Sequence, residues 1–261
     1  MKTFTLILFV LFIVCCSHKA SSKSNINRSL TDTVFLKRVV RDIVYMGITN
    51  HAYNAIYIDT NRNSAYYKQI ADFSFDKYEN LDYYNIEFKK RDIHLKKTAI
   101  YDLPTEWIPL YLYKNKYYLY APGDWGNMIR QMLTDSLLIQ WGMEGPWPYV
   151  LNAVKKIDSD TYSIFSKNYF YPSHSTGIPE NINIYFINPE RKIAVWEYVN
   201  EKREEYRYAL FVAKENSKDF DIIVNYSTEK TEEFIFERPD FLTLLKNKKK
   251  KKGETVLNVL Q

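Results

Sequence analysis

The chain has 261 residues, 46% of them hydrophobic and 16% aromatic, with a formal net charge of +5. This composition can fill a sizeable core and excludes a disordered chain. Only 7 glycines are present, and their nearest spacings (Gly123 with Gly126, Gly142 with Gly145) build none of the glycine-cradled phosphate loops.

In chain order, Lys2 precedes an 11-residue, largely apolar stretch from Phe4 to Val14. A bilayer span needs about 20 apolar residues, so this stretch is too short to cross but suits the apolar core of an export signal. It ends in Ile13-Val14-Cys15-Cys16-Ser17. This segment resembles the lipobox of bacterial lipoproteins, with Cys16 at the obligate cysteine and Ile13 at the aliphatic position. Cys15 stands where that family usually has Gly, Ala or Ser. The resemblance implies cleavage before Cys16, diacylation of its sulfur, membrane lipid as a partner, and a place in the bacterial cell envelope. Residues 1–15 are then the signal peptide and 16–30 a polar tether. The competing reading is an ordinary secretory signal cut after Ser17, which releases a secreted domain. Both cysteines lie in this segment, so the body has no thiol for a disulfide, a metal or nucleophilic attack.

The body, 31–245, reads as one mainly β domain. Thr31 to Met46 is expected as an N-terminal helix, because Phe35, Val39 and Ile43, and Leu36, Val40 and Val44, recur four apart. Period-two alternation follows. Early strands are expected near Ala55 to Asp59, Ser64 to Ile70 and Tyr83 to Lys89. Five hairpins come next, pairing 108–112 with 117–120, 128–133 with 137–141, 149–154 with 161–165, 182–187 with 193–198, and 206–212 with 220–224. Their turns are built on Asn115, Thr134-Asp135-Ser136, Asp158-Ser159-Asp160, Asn188-Pro189 and Asn216-Ser217, the residues that bend a chain where Gly is scarce. The expected architecture is an antiparallel meander forming a barrel or sandwich, with a short strand near Glu233 to Glu237 and a short C-terminal helix after Asp240. Residues 246–261 form a Lys-rich tail. Its six lysines, Lys246 and Lys248 to Lys252, carry the whole net positive charge, so the body offers no nucleic-acid footprint.

Chemistry-bearing patterns are sparse. The four histidines show no metal-ligand spacing, no Gly-x-Ser-x-Gly elbow exists, and no cofactor motif is present. Ser173, His174 and Ser175 share a long loop. Asp124 and Glu144 stand between glycines and close to tryptophans, a pairing that glycoside hydrolysis would use. Trp125, Trp141 and Trp147 are the candidate ligand-binding residues, expected at one end of the sheet, where an aromatic rim suits an apolar or glycan ligand or a protein partner. The leading expectation is a non-enzymatic binding module. An envelope glycan hydrolase and a periplasmic immunity-type protein are the alternatives.

Overall fold

The computed structural model describes residues 34–46, 48–71, 81–142, 145–169, 177–228 and 232–248. Cys16, the tether, Glu144, Ser173, His174 and Ser175 lie outside the described residues.

Thirteen strands are described, arranged as one closed barrel and one open sheet. Strands β6 (Arg130–Leu133), β7 (Leu137–Gly142), β8 (Gly145–Asp158), β9 (Thr161–Asn168), β10 (Ile178–Asn188), β11 (Ile193–Tyr198) and β12 (Tyr208–Ala213) pair in sequence as an up-and-down meander. Strand β3 (Glu106–Pro109) slots antiparallel between β12 and β6 and closes the eight-stranded barrel. Closure removes the edges that an open meander of this length would present to solvent. The second sheet runs in the order β1 (Val34–Tyr45), β2 (Ile48–Asp59), β13 (Ile222–Ser227), β5 (Lys116–Ala121), β4 (Tyr111–Tyr113), with β13 and β5 parallel.

The sheet packs on the barrel through one apolar layer. Leu119, Ala121, Ile222 and Val224 from the sheet meet Ile108, Ile193, Val195, Leu210 and Val212 on the outer side of the barrel wall. Helix α1 (Ala65–Ala71) adds Tyr67, Ile70 and Ala71 to this layer. The other face of the sheet, with Ile56, Tyr118 and Ile223, is covered by Phe234 and Phe236 from the segment after β13. Glu233 fixes that segment: its carboxylate accepts the Tyr120 hydroxyl, the backbone N–H of Gly123 (3.1 Å) and Asp124 (2.8 Å), and the amides of Asn127 (3.1 Å) and Asn225 (3.3 Å).

The expected mainly β fold and meandering barrel are present, and so is a C-terminal helix over 241–248. Several elements differ from expectation. Residues 34–45 form a strand in place of the N-terminal helix, paired with β2 along its length. Val34, Val39, Val40, Ile43 and Val44 are β-branched, a type that packs well on a pleated surface. Residues 65–71 and 81–90 are helices where strands were expected. Ser64 caps the first, its hydroxyl accepting the Tyr67 N–H at 3.0 Å. The second, α2 (Leu81–Lys90), buries Tyr84 and Phe88, one helical turn apart, against Leu137, Ile139 and Val150 on the barrel's outer face. Four of the expected turns join paired strands. The fifth hairpin is absent, because after β12 the 3-10 segment Lys214–Asp219 carries the chain into the other sheet as β13. The segment near Glu233 to Glu237 makes one bridge, Glu237 to Leu112, and is no ladder. Lys246 and Lys248 lie within the C-terminal helix, and Lys248 Nζ donates to Asp160 O (2.6 Å) and Thr161 Oγ1 (2.7 Å). The fold therefore reaches past 245.

Candidate functional site

Successive side chains of a strand alternate between barrel interior and exterior, so the register determines what lines the lumen. Towards one end the lumen is an apolar plug. Trp107 on β3 lies edge-on to Trp196 on β11 (5.5 Å between centroids) and near Phe186 on β10 (5.6 Å), while Trp196 meets Phe211 on β12 at 5.0 Å. Leu133, Leu138, Leu151, Ile164, Ile182 and Ile184 fill the space between them. Eight strands enclose a lumen just wide enough for side chains to fill, and here they fill that part of it.

The inward positions at the other end are polar. On β6, Gln131 precedes Leu133 on the same face, and it pairs with Gln140 of β7. Gln140 in turn pairs with Trp147 of β8. On β9, Ser166 and Asn168 continue the face of Ile164, both buried, and pair with Glu180 and Ile178 of β10. Tyr198 ends β11 opposite Ile182, diagonal to Glu180. The barrel is thus half plug and half polar mouth. On the outer wall Ser163, Lys167, Asn183 and Glu197 alternate with the inward set, while the apolar part of that wall lies under the sheet and α2. Among the described residues no helix is long and apolar enough to cross a membrane.

Within the mouth, Gln131 Nε2 donates to the Tyr198 hydroxyl oxygen at 3.3 Å, a bond that crosses the lumen from β6 to β11. Ser166 Oγ donates to the Glu180 carbonyl at 3.0 Å. Three other groups are not satisfied in this way. Gln131 is 3% exposed, and its Oε1 is buried without a hydrogen-bond partner. Trp196 Nε1, just below in the plug, is a buried donor without an acceptor. The Glu180 carboxylate is half-buried and has no hydrogen bond or ion pair among the described residues. Desolvation and, less so, the Glu201 carboxylate push its pKa up to about 6. Burial raises the Tyr198 phenol well above its ordinary value, with smaller contributions from Glu180 and Tyr149, so Tyr198 senses both.

The contrast with Glu197 on the outer wall shows how unusual Glu180 is. Glu197 Oε1 accepts Arg207 Nη2 (2.7 Å) and Nε (3.2 Å), and Oε2 accepts Asn183 Nδ2 (3.1 Å) and the Tyr185 hydroxyl (3.0 Å). Burial alone would raise its pKa, and this ring of donors lowers it instead. Glu197 is a completed structural network. Glu180 has the burial without the donors.

The sequence-derived candidates are dispersed. Trp147 faces into the mouth. Trp141, one position past Gln140, is on the opposite side of the same wall and packs with the α2 cluster. Trp125 opens the 3-10 turn Trp125–Asn127 that leads to β6. The Asp124 carboxylate is used locally, Oδ1 accepting the Gly126 N–H at 2.9 Å. His94 is exposed, 3.3 Å from Asp92. Among the described residues no group of three His, Cys, Asp or Glu side chains could hold a metal ion. Sequence reading passed over Gln131, Glu180 and Tyr198. The usable signal was phase: Glu180 shares its inward alternation with Ile182, Ile184 and Phe186, and Gln131 with Leu133.

Fold and site together define a closed eight-stranded antiparallel β-barrel with a polar lumen mouth, carrying a five-stranded sheet on its flank. No protein-family model matches the chain, and neither a curated protein nor a solved structure matches it.

Proposed function

We propose that this chain is a cell-envelope lipoprotein, held to a membrane through acylated Cys16, whose barrel mouth is a non-enzymatic receptor for a small ligand. The observation that carries the receptor reading is the set of polar atoms left without partners inside the mouth. The Glu180 carboxylate and Gln131 Oε1 face a wall that includes Trp147, Tyr149 and Tyr198. Buried polar groups normally have hydrogen-bond partners, and unsatisfied ones lower stability. A protein that keeps several at one aromatic-walled end of its barrel holds recognition groups ready for a bound molecule. The apolar stretch ending at Cys16 supports the anchor.

Each half has its own test. Intact-mass measurement of protein from a lipoprotein-processing bacterial host is expected to give a chain starting at a lipidated Cys16, and a mature chain with a free thiol there overturns the anchor. A ligand-observed NMR screen of small polar molecules is expected to give binders that Gln131→Leu and Glu180→Gln weaken. Binders indifferent to both substitutions overturn the mouth as the receptor site.

A further inference from the structure

We infer that the ligand of the barrel mouth is an organic cation with N–H donors, a primary ammonium group seated on Glu180 and Gln131 against the aromatic wall. This rests on the receptor reading above and narrows it to a chemical class.

Charge gives the first argument. A half-buried carboxylate with no donor and no counter-ion needs a cation to complete it, because burying an unpaired charge is far more costly than burying a paired one. Among the described residues no side chain at the inward positions of the mouth supplies that cation. The inward positions of the mouth hold Gln, Trp, Tyr, Ser, Asn, Glu and Ile178, and among the described residues no Lys, Arg or His shares them. Arg130 and Lys167 are each one position out of phase and lie on the outer side of the wall, where Arg130 Nη2 donates to Ile70 O of α1 at 2.8 Å. An anionic ligand would meet a carboxylate and no compensating charge. A neutral polyol would leave the Glu180 charge uncompensated.

Hydrogen-bond polarity gives the second, independent argument. The unpartnered atoms facing the mouth are acceptors: the Glu180 carboxylate oxygens, and Gln131 Oε1 on a side chain that is 3% exposed. An ammonium group is three donors and no acceptor, so one group can serve both. Tyr198 is near enough to both Glu180 and Tyr149 to interact electrostatically, and an aromatic ring beside a carboxylate favours a cation held there. Carboxylate, amide oxygen and aromatic faces together make a site selective for an amine.

Protons compete for the same carboxylate. The titratable groups that act on Glu180 or respond to it are the Glu201 carboxylate and the Tyr198 phenol. Burial raises the Tyr198 phenol further from neutrality, and Glu201 is held in its charged form by Arg203 at 3.2 Å. Glu180 is therefore the group whose protonation, around pH 6, governs binding.

The test is calorimetric titration of the mature protein with 1,5-diaminopentane, against 1,5-pentanediol and glutarate as neutral and anionic analogues of the same length. The diamine is expected to bind at least about tenfold tighter than either. Its affinity should fall about tenfold from pH 7 to pH 5 and drop by at least about thirtyfold in Glu180→Gln. Melting temperatures establish that Glu180→Gln is folded, and the wild-type pH series needs no variant. Equal binding of diol and diamine, lost in Gln131→Leu but retained in Glu180→Gln, overturns the cationic class and leaves the receptor reading standing. Binding by none of the probes overturns the class as well, while binding that survives both substitutions overturns class and site together.

Discussion

Gln131 and Tyr198 meet across the barrel, amide nitrogen to phenol oxygen at 3.3 Å, although their strands, β6 and β11, are not neighbours in the wall. The bond leaves Gln131 half satisfied, since its Oε1 is buried with no partner. The expected energetics are therefore asymmetric. Tyr198→Phe removes the one acceptor Gln131 has and strands a buried amide, at a cost of about 1–3 kcal/mol. Gln131→Leu leaves the Tyr198 hydroxyl without its donor but also takes the unsatisfied oxygen away, and is expected to cost less than Tyr198→Phe. Urea denaturation of the two single variants and the double variant measures both values and their coupling.

A similar asymmetry separates the two tryptophans of the plug. Both are fully buried, with rings 5.5 Å apart. Trp107 Nε1 donates to the Pro104 carbonyl at 2.8 Å, whereas Trp196 Nε1 has no acceptor. Either change to Phe removes ring volume and leaves a small void. Trp107→Phe also breaks a buried hydrogen bond, while Trp196→Phe deletes an unsatisfied donor. Trp107→Phe is expected to be the more destabilising by about 1–2 kcal/mol, read from chemical denaturation midpoints.

Glu233 is one side chain holding a whole segment. Five donors converge on its carboxylate, two of them backbone N–H groups of the 122–127 loop. Burial works against ionisation here, but the donors, Tyr120 first, hold the pKa below the ordinary value. Glu233→Ala is expected to cost about 2–4 kcal/mol, because it leaves those donors unsatisfied at once. It should also speed amide hydrogen exchange at Phe234 and Phe236, which cover the sheet through the cluster containing Ile223.

How far the sequence could be read follows from these residues. The barrel meander was legible because its turns announce themselves in side chains: Thr134 Oγ1 accepts the Leu137 N–H at 2.8 Å, Asp158 that of Asp160 at 2.8 Å, and Asn188 that of Arg191 at 3.0 Å. Strand β1 misled because a recurrence every four residues fits a helix, yet four is also a multiple of the strand period. Leu36 to Val39 and Val40 to Ile43 add three-residue spacings as well, so the local pattern favours a helix and the long pairing with β2 overrides it. The converse holds for α1, whose Tyr67, Ile70 and Ala71 carry those spacings beneath an aromatic-rich surface reading. The partition of β12 and β13 between two sheets depends on packing across the apolar layer around Val212 and Val224, which no local pattern encodes. The mouth was hidden for a related reason. Trp141 and Trp147 stand out by residue type, but only register shows that they face opposite ways and that the less conspicuous Glu180 and Gln131 face in.

The carboxylates predict a stability profile that changes direction with pH. Glu180 is raised to about 6 by burial and Glu201, above the roughly 4.3 of an unfolded Glu, so the folded chain binds its proton more readily than the unfolded chain. Its charge is a penalty present in full above pH 6 and gone below about 4, and stability from this group rises as pH falls through that window. Asp102 acts with the opposite sign. Hydrogen bonds from Tyr162 at 2.5 Å and Lys156 at 2.9 Å hold it down to about 2, so its contribution is present above about pH 4 and disappears as pH falls towards 2. Glu197 and Glu233, both lowered, add to that acid-side loss. Urea midpoints of the unliganded protein are thus expected to improve modestly from pH 7 to pH 5 and to fall steeply below pH 4. In Glu180→Gln the improvement should vanish while the acid-side fall remains. A variant that still gains stability between pH 7 and pH 5 would assign the proton uptake to another group and remove Glu180 as the titrating carboxylate of the mouth.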